Sequence, residues 1–283
     1  MQTITLDSAV LDIEWTPHVQ TLGDLLCVAT STGSLEFYSL DTDAGELKSK
    51  SKHQISESGT LVLDLLWHPT KVDTIAVTLS DGAVSICQSN DKTNPWGQDI
   101  KITSTELTTH SLEPWTLAFS PDASLVYSGG DDAILQVVRI ADDSEVQSDP
   151  ELSPTSLWTD RKTHQAGVTA ILPLTNDLLV TGSYDDHIRL ISAPLVGRRQ
   201  VLAELDLGGG VWRLKMLDDG AVSSSDRYVY ALRLFSLPVL RFIVRCNRSR
   251  ERHGTAVMLP MRTTNPAPAA LLFRILLAYT LDS

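Results

Sequence analysis

The residues best suited to chemistry sit in one short run, His110-Ser-Leu-Glu-Pro-Trp115, which brings an imidazole, a carboxylate and an indole close together along the chain. His110 or Glu113 could activate water, and the face of Trp115 could hold a cationic or apolar group. Asp131 follows His110 by 21 residues, and Asp185 follows His164 by the same 21. A recurring offset is a geometric constraint. It predicts two hydrogen-bonded pairs, each joining a histidine ahead of a strand to an aspartate in a later turn. Both pairs read first as structural locks. In the catalytic alternative one pair is open and its carboxylate orients the imidazole as a general base, which makes His110, Glu113 and Asp131 the catalytic candidates and leaves His164 with Asp185 as the structural pair. Ordinary roles stand beside these: Trp115 as a core aromatic and Glu113 as a solvated acid.

Other chemical signals are weak or missing. Ser183, in Gly182-Ser-Tyr-Asp-Asp186, invites a nucleophile reading, yet the Gly-x-Ser-x-Gly elbow of hydrolases occurs nowhere in the chain. His-Glu-x-x-His and the Gly-x-x-x-x-Gly-Lys phosphate loop are absent too. Gly208-Gly-Gly-Val-Trp212 is not a dinucleotide fingerprint, because its glycines are consecutive and lead into a strand. Cys27, Cys87 and Cys246 have neither Cys-x-x-Cys spacing nor an even count, so no disulfide framework or cysteine metal site is indicated. The expectation is a protein of a reducing compartment with no metal and no cofactor.

The elements that must position these residues recur. Pro17, Pro69, Pro121 and Pro173 are each 52 residues from the next, and a bulky apolar residue (Trp15, Trp67, Phe119, Ile171) stands two before each. Each proline follows a short apolar run that reads as a buried strand stopping at a turn. Second strands begin at Leu26, Ile75, Leu125 and Leu179; polar turns follow, and third strands begin at Leu35, Val84, Ile134 and Ile188. The polar linkers 41–58, 90–109 and 141–164 leave room for an outer strand and a long loop. Four-stranded meanders at such a period are the signature of a β-propeller, and no segment keeps a helical period long enough for a parallel α/β fold. The predicted fold is all-β, with about four to five blades.

Charge divides the chain differently. The 283 residues carry a net charge of -12, which argues against a nucleic-acid partner. Residues 216–283 hold nine arginines, no lysine and five acids, a balance of +4, whereas residues 1–215 balance at -16. Residues 1–215 are therefore read as propeller blades and 216–283 as a divergent, arginine-rich tail. That tail is either a diverged fifth blade or a departure from the ancestral reading frame near Lys215, the second favoured because propellers use more blades than this chain provides. No secretory signal is visible at the start. The apolar runs 232–244 and 269–281 are interrupted by arginines and fall short of the roughly 20 residues that cross a bilayer, so no membrane association is expected.

Five runs occur in order: His110-Ser-Leu-Glu-Pro-Trp115, Ser128-Gly-Gly-Asp-Asp132, His164-Gln-Ala-Gly-Val168, Leu179-Val-Thr-Gly-Ser-Tyr-Asp-Asp-His-Ile-Arg189 and Gly208-Gly-Gly-Val-Trp-Arg-Leu-Lys215. Together they resemble the WD-repeat diphthine methyl ester esterase family of diphthamide biosynthesis, over roughly residues 8 to 215. The resemblance implies a cytoplasmic WD-repeat propeller that removes a methyl ester from the modified histidine of translation elongation factor 2, without a cofactor. It also implies a quaternary trimethylammonium on the substrate, for which Trp115, Tyr184 and Trp212 are the candidate aromatic walls at one channel mouth. The chain departs from the family pattern in lacking the Trp-Asp dipeptide that ends a typical repeat, and nothing after Lys215 matches the later blades. A non-catalytic WD-repeat scaffold for protein interactions is the competing reading.

Overall fold

The computed structural model describes residues 2–140, 154–217, 227–233, 240–244, 257–261 and 272–276. The chain divides into two units, 1–168 and 169–283.

The first unit carries three four-stranded antiparallel sheets in simple meander order. Sheet one is β1 (Val10–Trp15), β2 (Leu25–Thr30), β3 (Ser34–Asp41) and β4 (Glu46–Gln54), with a one-turn helix, α1 (Val19–Leu22), between β1 and β2. Sheet two is β5 (Val62–Trp67), β6 (Thr74–Leu79), β7 (Ala83–Ser89) and β8 (Ile102–Thr109). Sheet three is β9 (Pro114–Phe119), β10 (Leu125–Gly130), β11 (Leu135–Arg139) and β12 (Thr155–Asp160). Within each sheet the composition grades outward. The second strands, Leu25-Leu-Cys-Val-Ala-Thr30 among them, are buried at every position because both faces are covered. The last strands, such as Glu46-Leu-Lys-Ser-Lys-Ser-Lys-His-Gln54, are mostly polar and close the edge with lysine and serine.

The repeat seen in the sequence is a repeat of register. Trp15 pairs with Leu26, Trp67 with Ile75 and Phe119 with Val126, each the end of a first strand against the second residue of the next. Two buried carboxylates tie one sheet to its neighbour at the same step: the Leu65 amide donates to Asp12 Oδ2 at 3.2 Å, and the Leu117 amide donates to Asp64 Oδ2 at 3.0 Å. The core between sheets one and two is closed by Trp96, from the linker read as polar in the sequence. Trp96 is fully buried, stacks on Phe37 at 4.8 Å and meets Trp67 edge-on at 5.7 Å. Its indole donates to the Val72 carbonyl, and its own carbonyl accepts from Ser51 Oγ.

In the second unit, β13 (Val168–Thr175), β14 (Leu178–Ser183), β15 (His187–Ser192) and β16 (Gln200–Asp206) form a fourth sheet of the same order. Here the proline reading needs correction. Pro173 lies inside β13, not after it, so Ile171 is not the strand-terminal equivalent of Trp67 and Phe119. The strand begins at Val168, 54 residues after Pro114, so the fourth proline keeps the interval without keeping the place. It is tolerated because β13 is the edge of its sheet. Beyond it lies a five-stranded sheet of β17 (Val211–Leu217), β18 (Arg227–Arg233), β19 (Leu240–Val244), β20 (Val257–Met261) and β21 (Leu272–Leu276), in the order β17-β18-β19-β21-β20. Its β19 and β21 run parallel, unlike any pair in the four meanders. How the side chains of the arginine-rich tail pack lies outside the described residues. The architecture, four antiparallel four-stranded sheets with almost no helix, is the all-β repeat fold expected of a propeller.

Candidate functional site

The loop from β8 to β9 and the turn from β10 to β11 meet at one end of sheet three. The Asp131 amide donates to the Glu113 carbonyl at 2.9 Å, which stitches the two segments together. Gly130 permits this approach: a Cβ there would fall 2.7 Å from the Glu113 carbonyl oxygen and 3.0 Å from Pro114 Cα. The turn needs a left-handed residue, and Ala133 supplies it at φ 58°. Gly33, Gly82 and Asp186 hold the matching places in the other three sheets.

His110 does pair with an aspartate, but the partner is Asp132, one residue beyond the expected Asp131. Its Nδ1 lies 3.0 and 3.1 Å from the two Asp132 oxygens, and its Nε2 lies 2.9 Å from Ser128 Oγ. Asp132 also accepts from the amides of Ser111 and Ile134. The side chains of His110 and Asp132 are 0% and 4% exposed, and Ser128 is 1% exposed. Spacing alone could not choose between two adjacent aspartates; the turn does, because the residue before the left-handed position points back under the loop while its predecessor points to the rim.

Asp131 therefore occupies the rim, with Glu113 and the half-buried Trp115. Burial holds the Asp131 carboxyl above the usual carboxylate range; the indole N–H of Trp115 opposes the rise, and the charges of Glu113 and Asp132 add to it. A partly exposed aromatic face, two carboxylates beside it and a fixed loop make a surface suited to a cation and to proton transfer.

His164 is buried in the first unit, and Asp185 belongs to the second. Within its own unit Asp185 receives Arg189, whose Nη1 lies 2.9 and 2.8 Å from its two oxygens, and the His187 amide. The Arg189 guanidinium, 3% exposed, also reaches Glu204. The sequence reading missed this ion pair, although Arg189 lies four residues from Asp185 on the strand that leaves the turn. Tyr184 and Trp212 come together as a stacked pair, centroids 6.1 Å apart and planes at 30°. Gly210 lets the Tyr184 ring lie over the chain. Ser183 is fully buried, and its hydroxyl accepts from the Asp185 amide, a turn-holding role. Cys27 and Cys87 are free and buried; burial pushes the Cys87 thiol up to about 12, which leaves it unreactive. Among the described residues no cluster of metal-ligating side chains is found, and no helix is long and apolar enough to cross a membrane.

Comparison with known proteins adds a lineage to this geometry. The WD domain, G-beta repeat model matches residues 101–138 and 155–192, which run from β8 through β11 and from β12 through β15. A diphthine methyltransferase of Schizosaccharomyces pombe is 31% identical over 215 residues, 74% of this chain and 57% of that protein. A diphthine methyltransferase homolog of Dictyostelium discoideum is 30% identical over 76% of this chain and 57% of its own length. The human diphthine methyltransferase is 31% identical over 74% of this chain and 44% of its own. The chain thus spans about half the length of the curated relatives it matches. A chain of the crystal structure of the mitotic checkpoint complex, 21% identical, superposes with a TM-score of 0.53 over 81% of this chain and 59% of that one, a likeness of fold alone. By its repeats and its relatives, this chain is a WD-repeat protein related in sequence to the diphthine methyltransferases.

Proposed function

We propose that the chain acts in diphthamide biosynthesis by hydrolysing the methyl ester of methylated diphthine on translation elongation factor 2. The observation that carries this reading is the rim of sheet three, where Asp131, with its raised pKa, stands beside Glu113 and the indole of Trp115. The trimethylammonium of the substrate has no hydrogen-bond donor, so it is held by the face of Trp115 and drawn by Glu113. Asp131 takes a proton from water as its oxygen bonds to the ester carbonyl carbon, and a raised pKa makes a carboxylate a better base for that step. The carbon to methoxyl bond breaks, and the proton leaves with methanol. The diphthine carboxylate remains on the protein. His110, with both ring nitrogens engaged, serves this site from behind. The stacked Tyr184 and Trp212 are the second unit's candidates for substrate contact.

The test mixes purified chain with methyl-esterified elongation factor 2 and follows the modified peptide by mass spectrometry. Loss of one methyl group with release of methanol is expected. Gain of a methyl group would instead match the transfer named for the relatives. An unchanged peptide together with stable capture of elongation factor 2 would favour the scaffold reading, which the WD repeats support.

A further inference from the structure

The outer strands of the four meanders differ in how they treat their free edge. An edge strand offers a row of unpaired N–H and C=O groups, and polar or charged side chains keep other strands from adding to it. In β4 the exposed positions are Glu46, Lys48, Ser49, Lys52 and Gln54; in β8 they are threonine, serine and glutamate, and in β12 threonine and serine. A one-residue bulge interrupts all four outer strands, so the bulge sets none of them apart. Composition does. β16, Gln200-Val-Leu-Ala-Glu-Leu-Asp206, has no lysine and leaves a β-branched aliphatic, Val201, 42% exposed. Among the described residues no strand pairs with its outer side. The loop that enters it also exposes Leu195 and, at 91%, Val196.

Charge gives this edge a direction. Arg198 and Arg199 stand just before β16, Glu204 and Asp206 lie at its end, and no acid occurs from Ile191 to Ala203. Arg198 is exposed, and Glu204, although it meets Arg189, keeps 45% of its side chain exposed. Two such strands laid parallel set arginine against arginine. Laid antiparallel, the arginines of each copy fall beside the acids of the other, with Val201 and Leu205 between them. We propose that β16 is the docking edge for a second copy of this chain, the two strands pairing antiparallel about a two-fold axis. Main-chain hydrogen bonds and the valine contact supply the attraction, and the charged ends fix the orientation. The net charge of -12 on each copy works against association, and the paired ends offset it locally. A single strand pair is a small interface, so the dimer is weak, with monomer below about 1 μM and dimer above about 100 μM.

The test is sedimentation velocity on the full chain across that concentration range. A reversible monomer–dimer equilibrium is expected. Val201→Lys, which gives β16 the device that β4 uses, is expected to raise the dissociation constant at least about tenfold while the melting temperature stays within a few degrees. Arg198→Glu and Asp206→Lys are each expected to be monomeric alone, and an equimolar mixture of the two is expected to dimerise, because the exchanged charges face each other again. Hydrogen exchange on the unaltered chain gives an independent readout: amides of β16 are expected to slow as concentration rises, and those of β4 are not. A chain that stays monomeric at several hundred micromolar overturns the proposal, even if the Leu195 to Arg199 loop then binds phosphatidylserine vesicles or an acidic peptide. So does a dimer that persists in folded Val201→Lys, or a mixture of the two charge variants that remains monomeric.

Discussion

At Asp131 partial burial and the charges of Glu113 and Asp132 raise the carboxyl pKa. Because its folded-state pKa is raised, its contribution to stability is complete below the usual carboxylate range and is lost as pH rises through the folded value. Asp131→Asn should therefore melt at a higher temperature than the parent at neutral pH, with the difference vanishing in acid, and should release methyl far more slowly. A carboxylate kept at such a cost is typical of a working residue. An Asp131→Asn protein that melts no higher at neutral pH would remove that argument. For the neighbours, Trp115→Ala should weaken substrate binding, raising KM more than it lowers kcat. His110→Ala should slow turnover with less effect on binding, because it disturbs the base and not the aromatic face; melting curves separate that effect from unfolding. Normal turnover in folded His110→Ala would show that the rim needs no support from below. The sequence marked His110, Glu113, Trp115 and Asp131 by type and spacing, but it could not divide labour between Asp131 and Asp132. That division depends on one left-handed backbone position, occupied here by an alanine.

At the scale of elements, that alanine is itself a prediction. A Cβ in the left-handed region costs roughly 1–2 kcal/mol, of which glycine's greater chain entropy gives back a part. Ala133→Gly should thus stabilise by up to about 1 kcal/mol, read from chemical denaturation. The sheets were legible because first and second strands are apolar runs broken by proline and polar turns, and burial on both faces leaves that mark. The segment that seals sheets one and two was not. Trp96 sits among Asn, Asp, Lys and Gly residues that read as solvent-facing loop, and only its ring contacts with Phe37 and Trp67 disclose it. Trp96→Ala should cost about 3–5 kcal/mol, the range for emptying a buried aromatic site. Next to it, burial lowers the His53 imidazole below its usual range, against the opposing backbone of Gly97. A lowered histidine leaves stability whole above the ordinary imidazole pKa and erodes it as pH falls. His53→Phe should accordingly flatten the loss of thermal stability between neutral and mildly acidic pH.

Over the whole molecule the informative quantity is how unevenly charge is spread. The chain carries -12 overall, yet residues 1–215 carry -16, so the part that includes the rim is more acidic than the protein as a whole. The composition was readable at once, and so was the change after Lys215; the five-stranded sheet with its parallel pair was not, because the proline and turn signals of the first four units stop there. An acidic body with Glu113 and Asp131 beside a half-buried indole should draw a fixed trimethylammonium by long-range attraction, which acts on encounter more than on the bound state. Raising ionic strength from low to about physiological, where the screening length is about 8 Å, should therefore lower kcat/KM for methyl release several-fold and leave kcat nearly unchanged. The same series with Glu113→Gln should begin from a lower kcat/KM and fall less steeply, since one of the two rim carboxylates has gone. A kcat/KM indifferent to salt in both proteins would mean that the cation is recognised at contact, by the face of Trp115, with no guidance from the charge of the molecule.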